Sequence, residues 1–147
     1  MKFILDTDTI SNLIKKNSPK RPDLIKNLKR HSPRNVFISV FTKCELYYGV
    51  SRVDNRKKTY KKQLHDAVDS FTTQMNILDF HIDSPEIYGE IRANLVSKGQ
   101  DIGVIDCMIA SQAIAYNYTL VTHNIKHFER IQKISTGKLK LADWLAS

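Results

Sequence analysis

The chain has 147 residues, 41% hydrophobic and 26% charged, which is enough apolar material for one core under an ordinary solvated surface, so a single domain over 1–147 is expected. No apolar run approaches the roughly 20 residues that span a bilayer, and Phe3-Ile4-Leu5 is too short for a signal peptide, so a membrane role is excluded and a cytoplasmic location expected. The net charge of +8 calls for a polyanionic partner, either nucleic acid or an acidic protein.

Phe3-Ile4-Leu5 reads as a short buried strand that stops at Asp6. Asp6 is the first residue past that strand, and Asp8 follows closely. Open α/β sheets bind ligands at the carboxyl ends of their strands, so both acids are candidate site residues. The competing reading is that one of them caps the next helix. That helix is expected over Thr9–Lys16, with a break at Asn17-Ser18-Pro19 and a basic helix from Pro22 to about Arg30. Positive charge crowds the first half of the chain, at Lys15, Lys16, Lys20, Arg21, Lys26, Lys29, Arg30 and Arg34. A second group is Arg52, Arg56, Lys57, Lys58, Lys61 and Lys62. Solvated helix faces explain such runs as well as a nucleic-acid surface does.

Val36 to Val40 is β-branched and aromatic and reads as the second strand. A helix over Phe41–Gly49 follows, with Gly49 as its end signal. Glu45 sits beside the apolar face of that helix, next to Phe41, Tyr48 and Gly49, where a carboxylate needs a partner or a cation. Thr42-x-x-Glu45 also fits a capping box, with Ser39 as an alternative cap. A long polar helix over Arg56–Gln74 carries the stripe Leu64, Ala67, Val68 and Phe71.

Asn76–Phe80 is the expected third strand, and a helix from Pro85 to Lys98 ends in a loop marked by Gly99 and Gly103. In the helix Ile105–Tyr116, Asp106 lies in the first turn. The helix dipole favours an acid there, yet Asp106 shares its face with Ile109, Ala110 and Ala113. Tyr118–Thr122 is a fourth strand. Asn124 after it either caps a short helix over Ile125–Arg130 or holds a metal-bound water. Leu139–Leu141 is the last candidate strand. Cys44 and Cys107 are expected as two buried thiols, and His123 and His127 have helical spacing but no third zinc ligand.

Strands alternating with helices make this an α/β chain with a parallel sheet. Acids gathered at one end of such a sheet repel and raise one another's pKa, a strain that a cation relieves. Oxygen donors select Mg²⁺ or Mn²⁺. A basic surface around such a centre suits a nucleic-acid backbone.

The combination of motifs resembles the PIN-domain ribonucleases. It is carried by the run from Phe3 to Thr9, by Ile38-Ser39-Val40-Phe41-Thr42-Lys43-Cys44-Glu45-Leu46-Tyr47-Tyr48-Gly49, by Ile102 to Ala110, and by Leu120-Val121-Thr122-His123-Asn124 continuing to Ile131. Ile91-Arg92-Ala93-Asn94-Leu95 before Gly99 and the ending Leu139 to Trp144 extend it. Within that family the chain is most similar to VapC-type toxins of toxin–antitoxin pairs. The resemblance implies a three-layer α/β/α sandwich around a mainly parallel sheet of four to five strands, and a homodimer. It implies Mg²⁺ or Mn²⁺ held by Asp6, Glu45 and Asp106, and endonucleolytic cleavage of cellular RNA such as tRNA. It also implies a VapB-type antitoxin that blocks the site and carries operator-DNA binding. By position, Thr7, Asp8 and Thr122 support the acids or position water. Asn124 stands where many members have a fourth acid. Arg92 either contacts phosphate or pairs with Glu90 or Asp101. Two alternatives remain: a PIN-like module that binds RNA without cutting it, and a haloacid-dehalogenase-like phosphatase suggested by Asp6-Thr7-Asp8. The second lacks the later Gly-Asp motif and has Ile10 where Thr or Val is expected.

Overall fold

A computed structural model describes residues 1–145; the last two positions of the expected 1–147 span lie outside the described residues. Among the described residues, five strands form one sheet: β1 (Phe3–Leu5), β2 (Val36–Ser39), β3 (Asn76–Leu78), β4 (Thr119–Val121) and β5 (Lys140–Ala142). All neighbours are parallel, in the order β3-β2-β1-β4-β5. Seven α-helices of the described residues connect or follow them: α1 (Thr7–Ile14), α2 (Arg21–Leu28), α3 (Val40–Ser51), α4 (Lys58–Thr73), α5 (Ser84–Ser97), α6 (Val104–Tyr116) and α7 (Ile125–Ile134). Among the described residues, no helix is long and apolar enough to cross a membrane.

The strands are short, and the central three, β1, β2 and β4, are buried on both faces, as a parallel sheet covered by helices requires. Alternate residues of β1 feed different cores. Phe3 and Leu5 pack with Ile10, Leu24, Ile38, Val68 and Trp144 under α1 to α4, whereas Ile4 packs with Leu95, Ile109, Leu120 and Phe128 under α5 to α7. These are the two apolar interfaces of an α/β/α sandwich. Leu5 is paired with both Ile38 and Val121, so β1 and β4 end on one level and β2 one residue further on. The residues just past them, Asp6, Val40 and Thr122, therefore emerge at one edge of the sheet.

Several expected boundaries move. α1 begins at Thr7 rather than Thr9, because Asp6 itself occupies the cap. Gly49 does not end α3; it is absent from the positive-φ glycines, and without a left-handed turn the helix runs on to Ser51. α7 extends to Ile134, since Ile131 is buried and continues its apolar face. Cys107 is buried, but Cys44 is exposed, contrary to expectation. Thr42, Leu46 and Val50 define the inward face of α3, and Cys44 falls two residues from that stripe.

Candidate active site

From β1 the chain moves outward to β2 and β3, then returns to the other side of β1 for β4 and β5. Connections therefore leave the carboxyl ends of β1 and β4 in opposite directions and open a crevice between them, the usual ligand position in an open α/β sheet. The Asp6 N–H donates to Val121 O at 3.0 Å and ties the two strand ends together.

Asp6 is only 4% exposed. Its Oδ1 accepts the Thr9 N–H at 2.8 Å, so Asp6 is the N-cap of α1 as well as the strand-end acid. Burial pushes its carboxyl above the ordinary 3.8; the Thr122 hydroxyl and Thr9 pull it down, and the charge of Asp8 adds to the rise. Asp106, in the first turn of α6, has a side chain 34% exposed and places Oδ2 2.9 Å from His127 Nε2. Burial is again the main cause that raises its pKa. The His127 bond and charge oppose that rise, and the charges of Asp6 and Glu45 reinforce it.

Glu45 reaches this group from α3. Its Oε1 accepts the Thr7 hydroxyl at 2.6 Å, and Thr7 Oγ1 is 3.1 Å from Thr42 Oγ1. The capping box does not form. Ser39 caps α3 by accepting the Phe41 N–H at 3.0 Å, which frees Glu45 for the Thr7 contact. Asn124 occupies the N-cap position of α7 but makes no side-chain cap bond; its N–H donates to Thr122 Oγ1 at 3.0 Å.

A cleft of about 430 Å³ is lined by Asp6, Asp8, Asp106, His123, Asn124 and Phe128. The fold thus brings Asp6, Asp8, Asp106 and Asn124 together, with Glu45 close enough for its charge to act on Asp106. Arg92 lies elsewhere. It is 3.3 Å from Asp101 Oδ2 and donates to Tyr88 Oη at 3.2 Å, the structural pairing among its expected roles. Among the described residues, no three His, Cys, Asp or Glu side chains already converge as a ligand set. The donors nevertheless fit a hard cation: they are carboxylate oxygens whose burial and mutual repulsion disfavour their own ionisation. The histidine pairings were missed in the sequence. The spacing of His123 and His127 was visible, but each turns to an acid distant in the chain, His123 to Asp143 and His127 to Asp106.

A parallel α/β sandwich with acids gathered at its switch point agrees with the PIN domain, which the chain matches over residues 3–134; the chain belongs to the PIN-domain family. Its relatives include ribonuclease VapC2 of Rickettsia felis, 37% identical over 91% of this chain and 95% of the relative. The tRNA(fMet)-specific endonuclease VapC of Salmonella typhimurium is 31% identical over 98% of each chain. Among solved structures, VapBC2 from Rickettsia felis bound to a promoter DNA fragment has a TM-score of 0.79 and 38% identity, covering 98% of this chain and 99% of that chain. Within the PIN family the chain is therefore of the VapC kind, and the phosphatase alternative falls away.

Proposed function

We propose that the chain is a divalent-metal-dependent endoribonuclease, the toxin of a toxin–antitoxin pair. The observation that carries the reading is the meeting of Asp6 and Asp106 at the crevice between β1 and β4, where Glu45 also makes its charge felt. Asp6, Asp106 and Glu45 are the residues that would hold Mg²⁺ or Mn²⁺. A bound ion of this type lowers the pKa of a water, orients it and offsets charge on a phosphoryl transition state.

The chain's own residues prepare that centre. The Thr9 N–H fixes Asp6, the Thr7 hydroxyl fixes Glu45, and His127 fixes Asp106, so each carboxylate has a partner that restricts its rotation. Thr122, fully buried at the end of β4, supports Asp6 through its hydroxyl; Asn124 lines the cleft, where it positions water, and Asp8 sits at the exposed rim. The lysines and arginines of the first half hold the RNA backbone on either side of the scissile phosphate.

The substrate is cellular RNA, with tRNA the first to try, because one relative is named a tRNA(fMet)-specific endonuclease. The partner is a VapB-type antitoxin that covers the cleft and carries operator-DNA binding, in an assembly built on a toxin homodimer in the cytoplasm. The DNA-bound VapBC structures of relatives support the antitoxin partner and the contact with operator DNA.

The test is cleavage of total cellular RNA by the full chain freed of antitoxin, with Asp6→Asn alongside. Asn preserves the cap of α1, so the variant folds, and its cleavage rate is expected to fall by more than about 100-fold, beyond the ~10–100-fold typical of losing an outer partner. Undiminished cleavage by Asp6→Asn would remove Asp6 from the site. RNA binding without cleavage by the wild type would favour the silent-module alternative.

A further inference from the structure

Past β4 and β5 the chain forms a second pair of groups beside the acids. The Thr122 N–H donates to Ala142 O at 2.9 Å, joining the two strand ends. The residues that follow, His123 and Asp143, lie side by side, with His123 Nδ1 2.9 Å from Asp143 Oδ2. Asp143 is held in place: its side chain is only 16% exposed, and its Oδ1 accepts the Leu145 N–H at 2.8 Å. One carboxylate oxygen thus anchors the acid to its own turn, and the other orients the imidazole. His123 in turn lines the acid cleft.

A phosphodiester that reaches Asp6 and Asp106 meets carboxyl groups, whose ionised form accepts hydrogen bonds and donates none. Of the cleft's lining side chains, only Asn124 and His123 offer N–H donors, and only His123 can carry positive charge. Its Nδ1 is engaged with Asp143, while Nε2 has no hydrogen-bond partner among the described residues.

We propose that His123 contacts the substrate, donating its Nε2–H to a non-bridging oxygen of the scissile phosphodiester, and that Asp143 is the positioning residue that holds the ring for this contact. The inference rests on reading the cleft as a nuclease site. No bond to hydrogen breaks in this role. The contact strengthens as negative charge builds on the phosphoryl oxygens, so it acts chiefly on the transition state. A histidine–aspartate pair on an open surface would contribute little. Here the pair sits at the edge of a cleft whose other lining side chains are three acids, an amide and a phenyl ring, so His123 is the lining group that can offer a cationic donor.

The experiment measures kcat and KM for RNA cleavage with Mn²⁺, and Mn²⁺ affinity by calorimetry, for the full chain and for His123→Ala, His123→Arg and Asp143→Asn. Loss of one hydrogen bond to an anion predicts a kcat about 10- to 100-fold lower for His123→Ala, with KM changing less. His123→Arg is expected to recover part of that loss, Asp143→Asn to lower kcat about 10-fold, and all three to bind Mn²⁺ within about 2-fold of wild type. If wild type cleaves and His123→Ala cleaves within about 2-fold of it, the inference is wrong while the nuclease reading stands. Loss of Mn²⁺ binding by His123→Ala, or an Arg variant no better than Ala, would also overturn the inference, by assigning His123 a ligand or purely structural role. A wild type that binds Mn²⁺ but cleaves no RNA overturns the nuclease reading, and the inference falls with it.

Discussion

At Asp106, burial and the charges of Asp6 and Glu45 push the carboxyl above its ordinary 3.8, and the His127 bond only partly offsets them. The sign for stability follows. A folded pKa above the unfolded one means that the folded chain binds more protons, so this contribution is complete below the ordinary carboxylate range and is lost as pH rises through the folded pKa. At pH 7 the metal-free protein therefore carries an unfavourable ionisation at Asp106. Asp106→Asn is expected to raise the thermal midpoint of the metal-free protein at pH 7, with the gain vanishing below about pH 3.8. A lower midpoint for the variant at pH 7 would contradict this account. Mn²⁺ should reverse the ranking, since a ligand at 100 times its Kd stabilises the state it binds by about 2.7 kcal/mol. The three acids were legible in the sequence because each stands where a strand ends or beside an apolar helix face. Their partners were not. The His127 and Asp143 contacts depend on how β4, β5 and α7 align, which no local pattern encodes.

Helix ends show the same division. α1 starts at Asp6 because a single carboxylate oxygen suffices for the cap. Capping and site roles, which compete when read along the sequence, coexist in the folded chain. α6 ends at Asn117, which adopts φ +59° and accepts a hydrogen bond from Lys140 Nζ at 2.8 Å. The Tyr118 N–H then closes the helix onto Ala113 O at 2.9 Å. A residue with Cβ and no polar side chain is strained in that region, so Asn117→Ala is expected to cost roughly 1–2 kcal/mol in urea unfolding, and Asn117→Gly less. Equal stability of the Ala variant and the wild type would show that the left-handed turn is not required. Glycine was the more visible end signal in the sequence. Gly49, however, keeps a helical backbone, whereas Asn117 makes the left-handed turn.

For the whole molecule, alternating apolar segments were enough to read an α/β sandwich with a parallel sheet, and five strands form within the span expected. Strand order was not written in that pattern, because it depends on which way the chain turns after each crossover. The order nonetheless creates the site. β4 must sit against β1, on the side away from β2, for Asp6 to meet Thr122, His123 and Asn124. The net charge is +8, yet the cleft lining holds three acids and no lysine or arginine, a separation that lets the surface attract a polyanion and the cleft a cation. The most direct test of that account is a metal-switch cleavage assay: total cellular RNA incubated with the full, antitoxin-free chain in EDTA, then with Mg²⁺ or Mn²⁺ restored, and Asp106→Asn in parallel. Discrete fragments that appear only with metal and are absent for Asp106→Asn are the predicted result. Equal cleavage in EDTA, or full activity of Asp106→Asn, would contradict a cation-centred acid site.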